Sequence, residues 1–168
     1  MKALIAAFFF AAISVTPAFA AGDSKPIATF DEWEIECEKP NPCSLSQGST
    51  DENEESNWVR IDFEIASSGE VSMIVTVAPE AIADRGVKIT LDGGEDFVTI
   101  EELLCESNSC EASTIVERDD LRRLFATANI AVTYALEKET ISLDVEGKGL
   151  KNGLSALAKH VRAKDPTR

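Results

Sequence analysis

Beyond residue 30, apolar and polar side chains alternate along most of this chain with a period of two, and a helical period takes over in only two places. Trp33, Ile35 and Cys37 share one face of a first strand that starts at Phe30, and Glu32, Glu34 and Glu36 share the other, as in a half-buried strand. Lys39-Pro40-Asn41-Pro42 turns the chain, because each proline fixes φ and lacks a donor for a ladder. Cys43, Leu45 and Gln47 then open a second strand, and the polar, acidic segment 48–57 is expected to be a loop. Segment 58–66 is the cleanest strand, with Val59, Ile61, Phe63 and Ile65 on one face and Trp58, Arg60, Asp62 and Glu64 on the other. After a turn at 67–70, Val71, Met73, Val75 and Val77 form one face of a more interior strand that ends at Pro79.

Segment 79–85 reads as irregular or as a helical turn, and Val87, Ile89 and Leu91 restore the alternation up to the Asp92-Gly93-Gly94 turn. A strand over 97–104 is expected to run directly into Cys105, and after the loop 106–109 the chain returns over 110–116. Leu121, Leu124 and Phe125 then fall at i, i+3 and i+4, a helical stripe. Asp119 and Asp120 suit the start of that helix, and Arg122 and Arg123 are expected to face water. Ile130, Val132, Tyr134 and Leu136 alternate again, followed by Ile141, Leu143 and Val145, until Gly147 and Gly149 break the strand. A last helix over 150–161 carries Leu150, Leu154, Leu157 and Val161 on one face, with Lys159, His160 and Arg162 near its C-terminal end. About nine strands and two short helices make an all-β antiparallel sandwich, because a parallel sheet would need a helix between most strands.

The N-terminus does not belong to this pattern. Lys2 precedes an apolar run over 3–13, Pro17 breaks it, and Ala18-Phe19-Ala20 fits the small-x-small cleavage rule of a secretory signal. The apolar run is too short to span a bilayer of roughly 30 Å. The expected organisation is a signal peptide over 1–20 and a single domain over 21–168, long enough to fold on its own core. No second apolar run follows, so no membrane insertion is expected after signal cleavage, and the formal charge of −14 repels phosphate and anionic lipid, which argues against nucleic acid as a partner and against docking on anionic lipid.

Export changes the reading of the four cysteines, Cys37, Cys43, Cys105 and Cys110. Each close pair flanks a hairpin turn, which places its Cα atoms near disulfide distance, so Cys37–Cys43 and Cys105–Cys110 is the simplest of three pairings. A crossed pairing, a four-cysteine zinc site and a redox pair are the alternatives, although the spacing fits neither a zinc site nor Cys-x-x-Cys.

Little else points to chemistry. His160, the single histidine, is expected to be an exposed helix-end residue. No nucleophile elbow, zinc-protease motif, P-loop or dinucleotide fingerprint occurs. Trp33 alternates inward and reads as core, whereas Trp58, on the polar face of its strand, is either a contact residue or cross-strand packing. Asp51, Asn53 and Glu55 are spaced as in a calcium loop, but Ser56 stands where the sharp turn requires glycine.

The order Phe30, Trp33, Ile35, Cys37, a Pro-rich loop, Cys43, Leu45, Gln47, the Cys105–Cys110 pair and a closing Gly149-to-Leu157 helix resembles the invasion-associated locus B family of exported α-proteobacterial proteins. Where that family commonly closes with Gly-Phe, this chain has Gly149-Leu150 and Gly153-Leu154. The resemblance implies an immunoglobulin-like β-sandwich and a periplasmic or secreted location. The family takes its name from host-cell entry by a pathogenic member, is also found in bacteria that invade nothing, and offers no catalytic residues to carry over. The resulting expectation is a non-enzymatic interaction protein of invasion or envelope physiology, with a protein partner, no cofactor, and no metal or catalytic residues. The alternative is a periplasmic small-ligand or calcium-binding protein, suggested by the acidic stretches 51–55 and 92–96.

Overall fold

The computed structural model describes residues 26–37 and 42–164. The signal-peptide expectation over 1–20 and the Lys39-Pro40-Asn41 part of the first turn lie outside the described residues.

Among the described residues, eleven strands and two α-helices follow in chain order: β1 (Ala28–Phe30), β2 (Trp33–Cys37), β3 (Cys43–Thr50), β4 (Trp58–Ile65), β5 (Val71–Val77), β6 (Val87–Leu91), β7 (Glu95–Ile100), β8 (Leu104–Cys105), β9 (Cys110–Val116), α1 (Arg118–Ala126), β10 (Asn129–Ala135), β11 (Thr140–Glu146) and α2 (Leu150–Lys164). A 3-10 turn at Ala83–Arg85 precedes β6. One sheet runs β1-β2-β3-β4-β5-β9-β8 and the other β11-β10-β6-β7, with every pairing antiparallel. The expected all-β sandwich with two helices is the fold that forms.

Alternation decides which side chains meet in the core. Ile35, Leu45, Val59, Ile61, Phe63, Met73 and Val75 of the large sheet are all at most 2% exposed, and so are Val87, Ile89, Ile130, Val132 and Tyr134 of the small one. Trp33 is fully buried, its ring centroid 5.7 Å from that of Phe63, and its Nε1 donates to the Glu146 carbonyl of β11 at 2.8 Å. That bond links the two sheets, and the full burial of the ring settles Trp33 as core. α2 covers the rest of the same face through Leu150, Leu154 and Leu157. A Cβ at Gly153 would stand 2.6 Å from Leu45 Cδ1, so glycine is what lets the helix lie this close to β3.

Several local expectations need correction. The first strand is a hairpin: Phe30 pairs with Trp33, and the chain reverses at Asp31, whose φ of 54° an aspartate tolerates better than most residues. The acidic loop is shorter than expected, because β3 continues through Gly48 to Thr50, opposite Arg60 to Trp58. The strand expected over 97–104 begins at Glu95, stops at Ile100 and changes sheets. Leu103 is buried (3% exposed) while Leu104 points out in β8, so two consecutive leucines mark a crossing rather than a continuous ladder. The last helix runs on to Lys164.

Candidate functional site

Both cysteine pairs lie opposite each other in a strand register, and the structure joins each as a disulfide. Cys37 and Cys43 face across β2 and β3 with a Cα separation of 4.0 Å, and Cys105 and Cys110 face across β8 and β9 at 3.9 Å. No cysteine is free. Cys110 is fully buried, its sulfur against the carbonyls of Pro79 and Ala81. The environment of Cys37 was not legible in the sequence. His160 is half-buried rather than exposed, and its Nε2 lies 3.9 Å from Cys37 Sγ. The two sulfurs and the imidazole form a compact cluster, but in a disulfide the sulfurs carry no thiolate charge to hold a metal.

The acidic stretches are engaged in local structure. Asp51 Oδ1 accepts from the Asn53 backbone N–H at 2.8 Å, a turn of its own loop, and Glu54 accepts from Ser56. Asp92 Oδ1 accepts from the N–H groups of Asn129 and Ala128, at 3.1 and 2.7 Å. These bonds, with one from Thr127, lower its pKa below the ordinary value. Glu95 and Asp96 pair with Arg123 and Lys88. Arg123, expected in water, instead ties α1 to β7 and lies over the Phe97 ring at 5.2 Å.

The open face of the large sheet departs most from expectation. Glu36, read as part of a solvated face, is only 8% exposed. Arg60 bridges it to Asp62, with 2.7 Å to Glu36 Oε2 and 2.9 Å to Asp62 Oδ2, and Ser44 Oγ lies 3.4 Å from Asp62. Burial acts to lower the Arg60 pKa, but the hydrogen bonds and charges of Asp62 and Glu36 outweigh it and hold the guanidinium protonated. Burial raises the Asp62 pKa, against the bond and charge of Arg60. Burial also raises that of Glu64, aided by the charges of Asp62 and Glu111.

Further along this face the character changes. The register aligns Glu64 with Ser72 and Ile115, Asp62 with Ile74 and Ser113, and Glu111 with Leu104. Leu104 is 74% exposed beside Glu111, and Ile115 is 51% exposed in the row that holds Ser72 and Glu64. Trp58, half-buried beside Thr50 on the same face, packs against the core rather than standing free.

A concave feature lies at the other side of the molecule, between α1, α2 and the β4–β5 turn, with a volume of about 480 Å³. Leu121 and Phe125, expected as a simple core stripe, line it. Among the described residues no helix is long and apolar enough to cross a membrane.

Comparison with known proteins places these features in context. No curated protein matches. A crystal structure of invasion associated protein B from Bartonella henselae superposes with a TM-score of 0.66 at 19% identity, covering 79% of this chain and 95% of that one, which shows a shared fold. The model of the family described as "Invasion associated locus B (IalB) protein" matches residues 33–158, a span that includes both disulfides, Trp33 and the greater part of α2. The chain therefore belongs to the invasion associated locus B family.

Proposed function

We propose that this protein is exported to the periplasm or secreted, with residues 1–20 removed as a signal and residues 21–168 forming one domain. There it acts as a non-enzymatic interaction module in invasion or envelope physiology. The observation that carries this reading is the open face of the seven-stranded sheet. Exposed Leu104, half-buried Ile74 and exposed Ile115 place one apolar side chain in each of three successive rows of this face, with Glu111 beside Leu104 and Glu64 in the row of Ile115. A sheet with its core on one side and exposed apolar side chains interspersed with carboxylates on the other offers a partner both apolar and acidic contacts. The partner that fits is a protein presenting both apolar and basic side chains. Two disulfides in short hairpins and the family's association with invasion support the compartment.

Affinity capture from envelope extracts, with the wild type beside Leu104→Glu/Ile115→Glu, tests the proposal. The expected result is an envelope protein retained by the wild type, released by rising salt, and lost in the double variant. No retained protein at any salt concentration contradicts the reading. The second reading, a small-ligand protein, is favoured by the pocket beside α2. Its calcium form finds no support in the acidic stretches, where Asp51, Glu54, Asp92, Glu95 and Asp96 each bond to neighbouring protein groups.

A further inference from the structure

The pocket between the two helices is built by a size pattern on α2. Leu154, Ser155, Ala158, Val161 and Arg162 share one helix face, and all five line the cavity. The small side chains of Ser155 and Ala158 leave a hollow that the larger residues on either side wall off. Leu121 and Phe125 of α1 close the opposite wall, half-exposed because they face this space instead of α2. Ile65 and Val71 form the floor, where β4 turns into β5. A volume of about 480 Å³ lies within the range of small-ligand sites, roughly 300–1,000 Å³.

The charge of the lining is what selects a ligand. In a chain with 30 acidic residues, no carboxylate among the described residues lines this pocket, and the charged lining residue among them is cationic Arg162. Arg162 forms no ion pair among the described residues. Arg162 is exposed on α2 and lines the same apolar cavity as Ser67 and Ser68, so its guanidinium can offer a fork of donors to an anion at the cavity.

We infer that this pocket binds an amphiphile with an apolar chain and a single carboxylate head, the chain between α1 and α2 and the head on Arg162. The overall negative charge of the protein opposes anions at long range, so the buried chain carries the affinity and Arg162 fixes the orientation. This inference goes beyond the interaction reading and uses the opposite face of the large sheet. Its failure leaves the capture experiment untouched.

The test is calorimetric titration of the oxidised full-length protein with decanoate and with decyltrimethylammonium, both below micelle formation. The expected result is saturable binding of one decanoate per chain, and a cationic amphiphile at least about tenfold weaker. Arg162→Gln is expected to weaken decanoate about tenfold while leaving decanol unchanged. Ala158→Phe fills the hollow and should abolish binding in a protein whose thermal melt is intact. Should that variant fail to fold, Ser155→Trp at the exposed rim provides the same block. Absence of saturable decanoate binding, equal affinity for the two head groups, or undiminished binding in a folded Ala158→Phe or Ser155→Trp protein would each overturn the inference.

Discussion

His160 Nε2 stands 3.9 Å from Cys37 Sγ, across 123 positions of sequence, so the third turn of α2 rests on the disulfide that clips β2 to β3. The bridge closes a loop with a sequence separation of only 6, and its loss should cost about 2 kcal/mol by the chain-entropy estimate. Cys37→Ser/Cys43→Ser is therefore expected to lower unfolding stability by about that amount in urea. Because His160 leans on the bridge, amide exchange should also quicken in α2 around 157–161. Exchange confined to the hairpin would mean that the contact transmits nothing.

The Glu36–Arg60–Asp62 network predicts a pH-dependent variant. Removing Arg60 strands two shielded carboxylates, a change that costs about 3–5 kcal/mol when a pair is fully buried. Arg60 is 36% exposed, so the expected loss for Arg60→Met at neutral pH is smaller, about 2 kcal/mol. The sign with pH follows from Asp62, whose pKa is raised by burial and lowered by Arg60, so removing Arg60 raises it further in the variant. The folded state takes up a proton before the unfolded state does, so the penalty is greatest above the folded pKa and fades as pH falls towards the unfolded value of 3.8. Urea unfolding of wild type and variant from pH 7 to pH 4 should show the gap narrowing with acid. A gap that widens would refute the assignment.

Asp92 behaves in the opposite sense. Its pKa is lowered by the backbone donors of Asn129 and Ala128, so its contribution is complete above the unfolded value of 3.8 and is lost as pH falls through the lower folded value. Asp92→Ala should expose the amides of Ala128 and Asn129 to faster hydrogen exchange at neutral pH. The same comparison below the folded pKa should show little difference. Asp92→Asn keeps a residue that tolerates the φ of 47° while removing the charge, and should fall between the two.

Gly153 offers a test of packing against helix propensity. Alanine gains up to about 1 kcal/mol over glycine within a helix, yet its Cβ would stand 2.6 and 2.8 Å from the two methyl groups of fully buried Leu45. Overpacking of that kind costs about 1–3 kcal/mol, so Gly153→Ala should be destabilising by about 1 kcal/mol net. Gly94→Ala, where an added Cβ meets nothing within 4 Å, serves as the neutral control. A stabilised Gly153→Ala protein would show that α2 does not seat on β3 as described.

Much of the sandwich was legible because alternation is a local property: Val59, Ile61 and Phe63 announce their buried face within five residues. Both disulfide pairings were legible for the same reason, each spanning one turn. What was missed depends on partners far along the chain. Glu36 resembles any surface glutamate until Arg60, 24 residues on, is brought beside it. His160 reads as a helix-end residue until α2 docks on Cys37. The hairpin at Asp31 left a faint signal, an aspartate able to take positive φ, and the sheet crossing left another in adjacent Leu103 and Leu104. The pocket had one too, in small Ser155 and Ala158 among larger neighbours, but its other wall is α1, which periodicity alone cannot place.

Hydroxyl-radical footprinting of the oxidised protein, alone and with the envelope partner it retains, tests the interaction claim most directly. Protection is expected at Leu104, Ile115 and Ile74, with the outer face of the smaller sheet, including Lys88 and Thr90, as reactive as before. Protection confined to Lys88 and Thr90, or none at Leu104 and Ile115 in a stable complex, would contradict the account.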